Sequence, residues 1–381
     1  MTTVLVPLDG SELAQRAVPF ALNIARQDGR TVLLLRAVNT LAAATYREGQ
    51  SMLDAATDEL KAYADTLVDS GVELDTRIVD APADVAILEA AEDDEINLIV
   101  MSTHGRSGLG RWIYGSVADA VLRDAPVPVL IVPPHGLTAW TDGTPGKILV
   151  PLDGSELATA ALGPATQLAD SLGATLVLGS VVTFPAYAAY AEGYTFVDPA
   201  PTENALAGSR QYLMDVAAGL RTETRKVEVS AMFGSPFYGV TMMASDLEAS
   251  LIVMATHGRG GIARAVLGSV ATATLRQSGV PVLMVRPDEL ARLSLGQAAT
   301  QPAAEEPPAA VAETTVEADA APSIMMALTG EELDILTRAL GDRFFNAPVD
   351  PKQTDPMRVL LEKLRTARAS VPAVHTPVGA R

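Results

Sequence analysis

The decapeptide Leu-Val-Pro-Leu-Asp-Gly-Ser-Glu-Leu-Ala occurs twice without change, at Leu5–Ala14 and at Leu149–Ala158. A second block, Leu98–Gly108, returns with two substitutions as Leu251–Gly261, and Gly115-Ser-Val-Ala118 returns as Gly268-Ser-Val-Ala271. Such a repeat is one structural unit used twice, so both halves must solve the same folding problem in the same way. The second half is longer, and its extra residues are expected around Phe184–Glu203, where Pro, Gly and Tyr cluster opposite the shorter Leu41–Gln50.

Within the first half, short apolar runs alternate with segments of helical period. Strands are predicted over Val4–Leu8, Val32–Val38, Glu73–Val79, Asn97–Ser102 and Val127–Val132, and helices over Leu13–Arg26, Met52–Ser70, Pro82–Ala91 and Gly115–Arg123. Runs such as Leu98–Met101 and Val129–Val132 lack polar alternation, as strands covered on both faces require. Hydrophobic residues make up 48% of the chain but aromatics only 4%, so the cores must be built from Val, Leu, Ile and Ala. The fold class that follows is α/β, with two tandem doubly wound, Rossmann-like domains, each with a five-stranded parallel sheet and its own core.

The domains are expected at residues 1–135 and 146–287, joined by a linker at 136–145. No Lys or Arg falls between Arg292 and Arg338, and the Ala/Pro/Glu-rich stretch 288–322 reads as disordered. Beyond it, residues 323–370 carry a capping box at Thr329–Glu332 and apolar positions Leu333, Leu336, Leu340 and Phe344, which predict a helical hairpin, followed by a disordered end at 371–381. A hairpin this small needs a protein partner or self-association to be stable.

The formal net charge of −18 leaves no basic stripe for DNA or RNA, and the absence of cysteine removes disulfides, thiolate metal sites and thiol catalysis. Met1–Asp9 is unlike a signal peptide, and the uncharged stretch Ser171–Ala191 is interrupted by Gly173, Gly179 and Pro185, so it reads as strand plus loop. A cytoplasmic protein without membrane contact is expected.

The chemistry is expected at strand ends, where a doubly wound sheet holds its ligands. Gly105-Arg-Ser-Gly108, leading to Gly115-Ser116, would let backbone N–H groups curl round an anion and offer it the start of a helix; Gly258-Arg-Gly-Gly261, leading to Gly268-Ser269, would do the same. Asp9 and Asp153 end the first strand of each half and would face that loop across the crevice, although capping of the next helix by Asp9 or Ser11 accounts for the local sequence equally well. Arg106 and Arg259 are candidate phosphate donors. His104 and His257 lack further ligands for a metal, and Gly143–Lys147 lacks the spacing of a P-loop.

A first strand ending Pro-x-Asp-x-Ser, then Gly-x-x-Gly, nine residues, Gly-Ser-Val, and a last strand Pro-Val-x-x-Val is similar to the nucleotide-binding universal stress proteins. The resemblance covers roughly residues 1–135 and 145–287 and implies the adenine nucleotide alpha hydrolase-like arrangement. It implies that Asp9 with Ala37, and Asp153 with Val181, hold adenine and ribose. Phosphates would lie on Gly105, Gly115, Ser116 and Val117, and on Gly258, Gly268, Ser269 and Val270. Pro7, Met101, Ser102, Arg106 and Gly108 complete the first candidate site, and Met254, Ala255, Arg259 and Gly261 the second.

Ser102 and Ala255 stand where the family has its first glycine, so a Cβ meets the nucleotide's approach. The implied cofactor is ATP, with Mg2+ held by its phosphates, and the implied role is regulatory in the stress response, with slow turnover at most. The resemblance further implies that the last strands, Val127–Val132 and Val280–Val285, pair into an internal pseudo-dimer, and that the chain forms homo-oligomers. An interaction scaffold of the same fold without nucleotide is the alternative. An adenylating enzyme would need a paired-glycine loop that Leu8–Ser11 lacks.

Overall fold

The computed structural model describes residues 2–42, 45–102, 115–134, 146–183, 200–256 and 267–286. The repeated domains lie in one compact unit, Met1–Thr300. The predicted tail, with its linker and hairpin, lies outside the described residues.

In the first half, β1 (Thr3–Pro7), β2 (Thr31–Val38), β3 (Leu74–Asp80), β4 (Ile96–Ser102) and β5 (Val129–Val132) form the strands. The helices are α1 (Glu12–Gln15), α2 (Val18–Asp28), α3 (Tyr46–Asp65), α4 (Ala83–Ala91) and α5 (Ser116–Asp124). The second half repeats this with β6 (Lys147–Pro151), β7 (Thr175–Val182), β8 (Val227–Phe233), β9 (Leu251–Ala255) and β10 (Val282–Val285). Its helices are α6 (Glu156–Thr159), α7 (Leu162–Leu172), α8 (Ala200–Leu220), α9 (Pro236–Asp246) and α10 (Ser269–Gln277).

All ten strands join one sheet in the order β3-β2-β1-β4-β5-β10-β9-β6-β7-β8. Every pairing is parallel except β5 with β10, which is antiparallel with Leu130 opposite Leu283. Within each half the order reverses after the first strand, which opens a crevice between the carboxyl ends of β1 and β4 and of β6 and β9. The pseudo-dimer implied by the resemblance is therefore a single sheet, and the seam leaves neither β5 nor β10 as an open edge.

Successive side chains of a strand point to opposite faces. Val4, Val6, Leu34 and Leu130 pack on one face with α2 and α3, and Leu5, Leu35, Ile99 and Ile131 pack on the other with α4 and α5. Each of these clusters continues into the second half, through Ile148, Leu178, Leu213 and Leu283 on the first face and Leu149, Ile252, Val282 and Met284 on the second. The expectation of a separate core for each half is corrected here. There are two cores, one per sheet face, and both run across the seam because the antiparallel pairing aligns like faces.

Two helices differ from their predicted extents by more than one residue at an end. The segment expected as one helix over Leu13–Arg26 breaks around Arg16 and Ala17, because Pro19 has no N–H and its ring would collide with the carbonyl four residues earlier. The second piece ends at Gly29, whose φ of 63° is left-handed. The helix expected over Met52–Ser70 instead runs Tyr46–Asp65, with a capping box in which Thr45 and Glu48 satisfy each other's backbone N–H.

Candidate functional site

The end of β1 turns sharply at Gly10, whose φ is 82°. That turn brings the Asp9 carboxylate back over Ser11. Asp9 Oδ1 accepts from the Ser11 N–H at 2.9 Å and from its hydroxyl at 2.6 Å, and Ser11 Oγ accepts from the Ala14 N–H at 3.1 Å. Ser11 is thus the cap of α1, and Asp9 orients that cap while it also faces the crevice. The second half reproduces the arrangement, with Asp153 accepting from the Ser155 N–H at 3.0 Å and its hydroxyl at 2.6 Å. The two readings left open for Asp9 are therefore compatible.

A cleft of about 590 Å3 opens at the switch point of the first half. Pro7, Asp9, Ala37, Met101, Ser102, Gly115, Ser116 and Val117 all line it, so the structure brings the described first-half candidates together. Gly105, Arg106 and Gly108 lie outside the described residues, as do Gly258, Arg259 and Gly261. In the second half, Asp153 follows β6, Val181 lies on β7, Met254 and Ala255 end β9, and Gly268, Ser269 and Val270 open α10.

Neither α5 nor α10 has a side-chain cap; their N-cap residues are Gly115 and Gly268, each with a ψ of 148°. Helices α1, α3 and α6 are capped by a Ser or Thr side chain, whereas α2, α4, α7 and α9 are uncapped like α5 and α10. The first N–H groups of an α-helix have no partner within the helix. Those of Ser116, Val117 and Ala118 belong to residues that line the cleft, and the positive end of the helix dipole lies there too. Such an end suits an anion.

Ser102 is the last residue of β4 and is buried, and Ala255 ends β9 in the same way. Neither has a positive φ, so replacement of glycine costs no backbone strain at either position.

Several lining residues were not anticipated from the sequence. Arg36, Asn39, Met52, Glu59, Ala83 and Ile87 complete the wall formed by β2, α3 and α4. Asn39 belongs to a rim that Asp80 holds in place, accepting from the Thr40 N–H at 2.9 Å and from its hydroxyl at 2.6 Å. Those two bonds, the hydroxyl's first, hold the Asp80 carboxyl below its ordinary range. The only signal for these residues was their place within two positions of Ala37 or one helix turn from an apolar stripe, which marks no residue as a cleft wall.

In the second half the β7 position equivalent to Ala37 is Val181, and it fits because α9 carries Gly239. A Cβ on Gly239 would fall 2.6 Å from Val181 Cγ1. In the first half the position on α4 equivalent to Gly239 is Ala86, and it shares a core cluster with Ala37.

The cleft's volume lies within the usual range for small-molecule sites. Alanines at 37, 55, 56 and 83 leave room for a ligand, Met52, Ile87 and Met101 supply apolar contact, and Asp9 and the start of α5 supply polar ends. These residues fit a nucleotide. Among the described residues no group of three or more His, Cys, Asp or Glu side chains could hold a metal ion, and no helix is long and apolar enough to cross a membrane.

Strand order and cleft together define a doubly wound α/β protein, duplicated in one chain, with a cleft at the switch point of its first half. The sequence model of the universal stress protein family matches residues 1–133 and 145–286, and the chain belongs to that family. A universal stress protein of Methanocaldococcus jannaschii is 31% identical over 136 residues, covering 34% of this chain and 80% of its own. One from Mycolicibacterium smegmatis is 26% identical over 299 residues, covering 74% of this chain and 97% of its own. The crystal structure of a universal stress protein from Archaeoglobus fulgidus matches with a TM-score of 0.57 at 23% identity, over 75% of this chain and 98% of that one, which is a likeness of fold.

Proposed function

We propose that this chain is an adenine-nucleotide-binding regulatory protein of the stress response, taking ATP in the first cleft and in its counterpart in the second half. The observation that carries the reading is the convergence of an oriented aspartate, a small-residue wall and an uncapped helix start in one cleft. Asp9 and the backbone around Ala37 would hold the nucleoside, and Gly115, Ser116 and Val117 would hold phosphates through their N–H groups; Gly105, Arg106 and Gly108 are further candidates for phosphate contact. Mg2+, where it accompanies ATP, rides on the phosphates. In this reading the protein is cytoplasmic, and occupancy changes its affinity for a protein partner, since a ligand shifts an equilibrium only by binding one state better.

Calorimetric titration of ATP, ADP and cyclic AMP into the wild type and into the Gly115→Asp and Gly268→Asp variants tests this. Each variant places a carboxylate at one helix start and is expected to remove one site. A flat trace for every nucleotide with the wild type would sink the proposal. The scaffold alternative draws on Ser102 and Ala255 and predicts no rise in melting temperature with ATP, whereas a ligand present at a hundred times its Kd stabilises the folded state by about 2.7 kcal/mol.

A further inference from the structure

The chain has 12 methionines and no cysteine, so its sulfur chemistry belongs to thioethers. Among the described residues three methionines are exposed: Met52 at 42%, Met214 at 42% and Met242 at 53%. Of the three, Met52 lines the first cleft. Met101 lines it too but sits near the end of the buried strand β4 and is 6% exposed. The cleft therefore has one sheltered sulfur and one open one. The duplication shows that the fold does not require the open one. Leu60, Ala64 and Leu67 pack on one core at the same intervals as Leu213, Ala217 and Leu220, and the same count back from Leu60 and Leu213 gives Met52 on α3 and Ala205 on α8.

An exposed thioether is open to a two-electron oxidant. With a hydroperoxide, a lone pair of the Met52 sulfur attacks one peroxide oxygen, the S–O bond forms as the O–O bond breaks, and the second oxygen takes the proton and leaves as water or an alcohol. Methionine is oxidised to the sulfoxide and the peroxide is reduced. The product is polar and chiral where the side chain was apolar. Ala55 and Ala56, three and four positions on along the same helix face and also on the cleft wall, carry no side-chain donor for the new oxygen. In the open cleft water satisfies it. A ligand that covers the wall strips that water away, and an unpaired polar atom beneath the ligand opposes binding.

We propose that Met52 is an oxidation site through which a hydroperoxide lowers the nucleotide affinity of the first cleft, while the second half, with Ala205 in that place, keeps its own. This rests on the nucleotide-binding reading and adds the regulation of one of its two sites. Occupancy and oxidation oppose each other, because a nucleotide that covers the wall also screens the Met52 sulfur. The change is reversible, since methionine sulfoxide reductases return each sulfoxide epimer to the thioether.

Dilute hydrogen peroxide followed by peptide mass spectrometry on the full-length wild type, with and without saturating ATP, gives the first readout. Met52 and Met242 are expected to oxidise at similar rates and Met101 far more slowly, and ATP should slow Met52 by about fivefold or more while leaving Met242 unchanged. Equal oxidation of Met52 with and without bound ATP would overturn the inference. The second readout is the ATP Kd by calorimetry before and after peroxide in Gly268→Asp, which leaves the first cleft alone. Peroxide is expected to raise that Kd by about tenfold, the lower end of what an unpaired buried polar atom does. Adding Met52→Leu should abolish the rise whatever the starting affinity, and adding Met242→Leu should preserve it. Gly115→Asp, which reads the second half, should show no rise. A Met52 sulfoxide formed without a change in Kd, or a rise that persists with Met52→Leu, would overturn the role of Met52 and leave the nucleotide reading standing. An absence of ATP binding before peroxide would overturn both.

Discussion

Asp9 serves two ends with one carboxylate, since it fixes the Ser11 cap and faces the cleft. Asp9→Ala should cost about 1 kcal/mol through the lost turn and cap support, and should weaken ATP binding at the first cleft by at least tenfold. Asp9→Asn retains an acceptor for the turn, so melting temperature should recover while affinity does not. Recovery of both would reduce Asp9 to a structural residue. Asp80 makes a pH-dependent contribution at the rim. Its carboxyl is held below the ordinary value of 3.8 by Thr40, so the bonds to Thr40 are fully present above that value and are lost as pH falls through the lower, folded-state value. The Thr40 amide shift, followed by NMR, should titrate with a midpoint under 3.8 and stop titrating in Asp80→Asn; a midpoint at or above that value would contradict the assignment. Asp9 was legible in the sequence because the repeat singled it out, whereas Asp80 and Arg36 have no counterpart of the same type in the second half and so carried no such mark. Gly239 was illegible for another reason, namely that its partner Val181 is distant along the chain. Gly239→Ala should destabilise by about 1–3 kcal/mol, as overpacking does. Adding Val181→Ala, which recreates the first-half pair, should restore most of that loss in denaturant melts, and a purely additive double variant would deny the contact.

Among the elements, α5 and α10 share with α2, α4, α7 and α9 the lack of a side-chain cap that α1, α3 and α6 have, and what sets the two apart is that a glycine opens each of them. A helix start closed by a serine or threonine has an internal partner for its N–H groups, and one opened by Gly115 or Gly268 keeps them for an outside acceptor. Helix α3 shows the reverse design. Its capping box fixes where the helix begins, and through that the position of Met52 on the cleft wall. Thr45→Ala should cost about 1 kcal/mol and speed hydrogen exchange in the first turn of α3, with little effect beyond Leu60. Exchange faster along the whole helix would show that the box holds more than its own turn. The Thr45-x-x-Glu48 signature was present in the sequence, but the apolar stripe starts further on, and periodicity alone placed the helix start too late. Pro19 was equally visible and was outweighed by the apolar period on either side of it.

At the scale of the whole molecule, the seam between β5 and β10 turns two sheets into one and lets each core run through both halves. Arg286 adds a bond across the seam, donating to the Ala125 carbonyl at 3.2 Å, and Ser171 of α7 donates to Asp28 at the end of α2. A fragment of residues 1–134 should therefore fold but expose β5, whose four residues are all buried in the intact chain. We expect it to dimerise through that edge, and light scattering that shows a monomer at micromolar concentration would mean that the seam needs sequence features peculiar to β10. The stability of the halves should be coupled as well, so that the intact chain unfolds in one transition.

The sequence by itself determined the local chemistry and its duplication: the α/β class, five strands per half, the strand-end aspartates, the glycine-opened helices, and membership of a family that the whole matched region later supported. These are properties of short segments, and a repeat makes them visible because two copies report the same constraint. Tertiary structure alone decided which residues share a cleft wall, how Val181 and Gly239 divide their space, and that the cores belong to sheet faces and not to halves. Each depends on residues far apart in the chain meeting at van der Waals distance, and no pattern within a single segment encodes such a meeting.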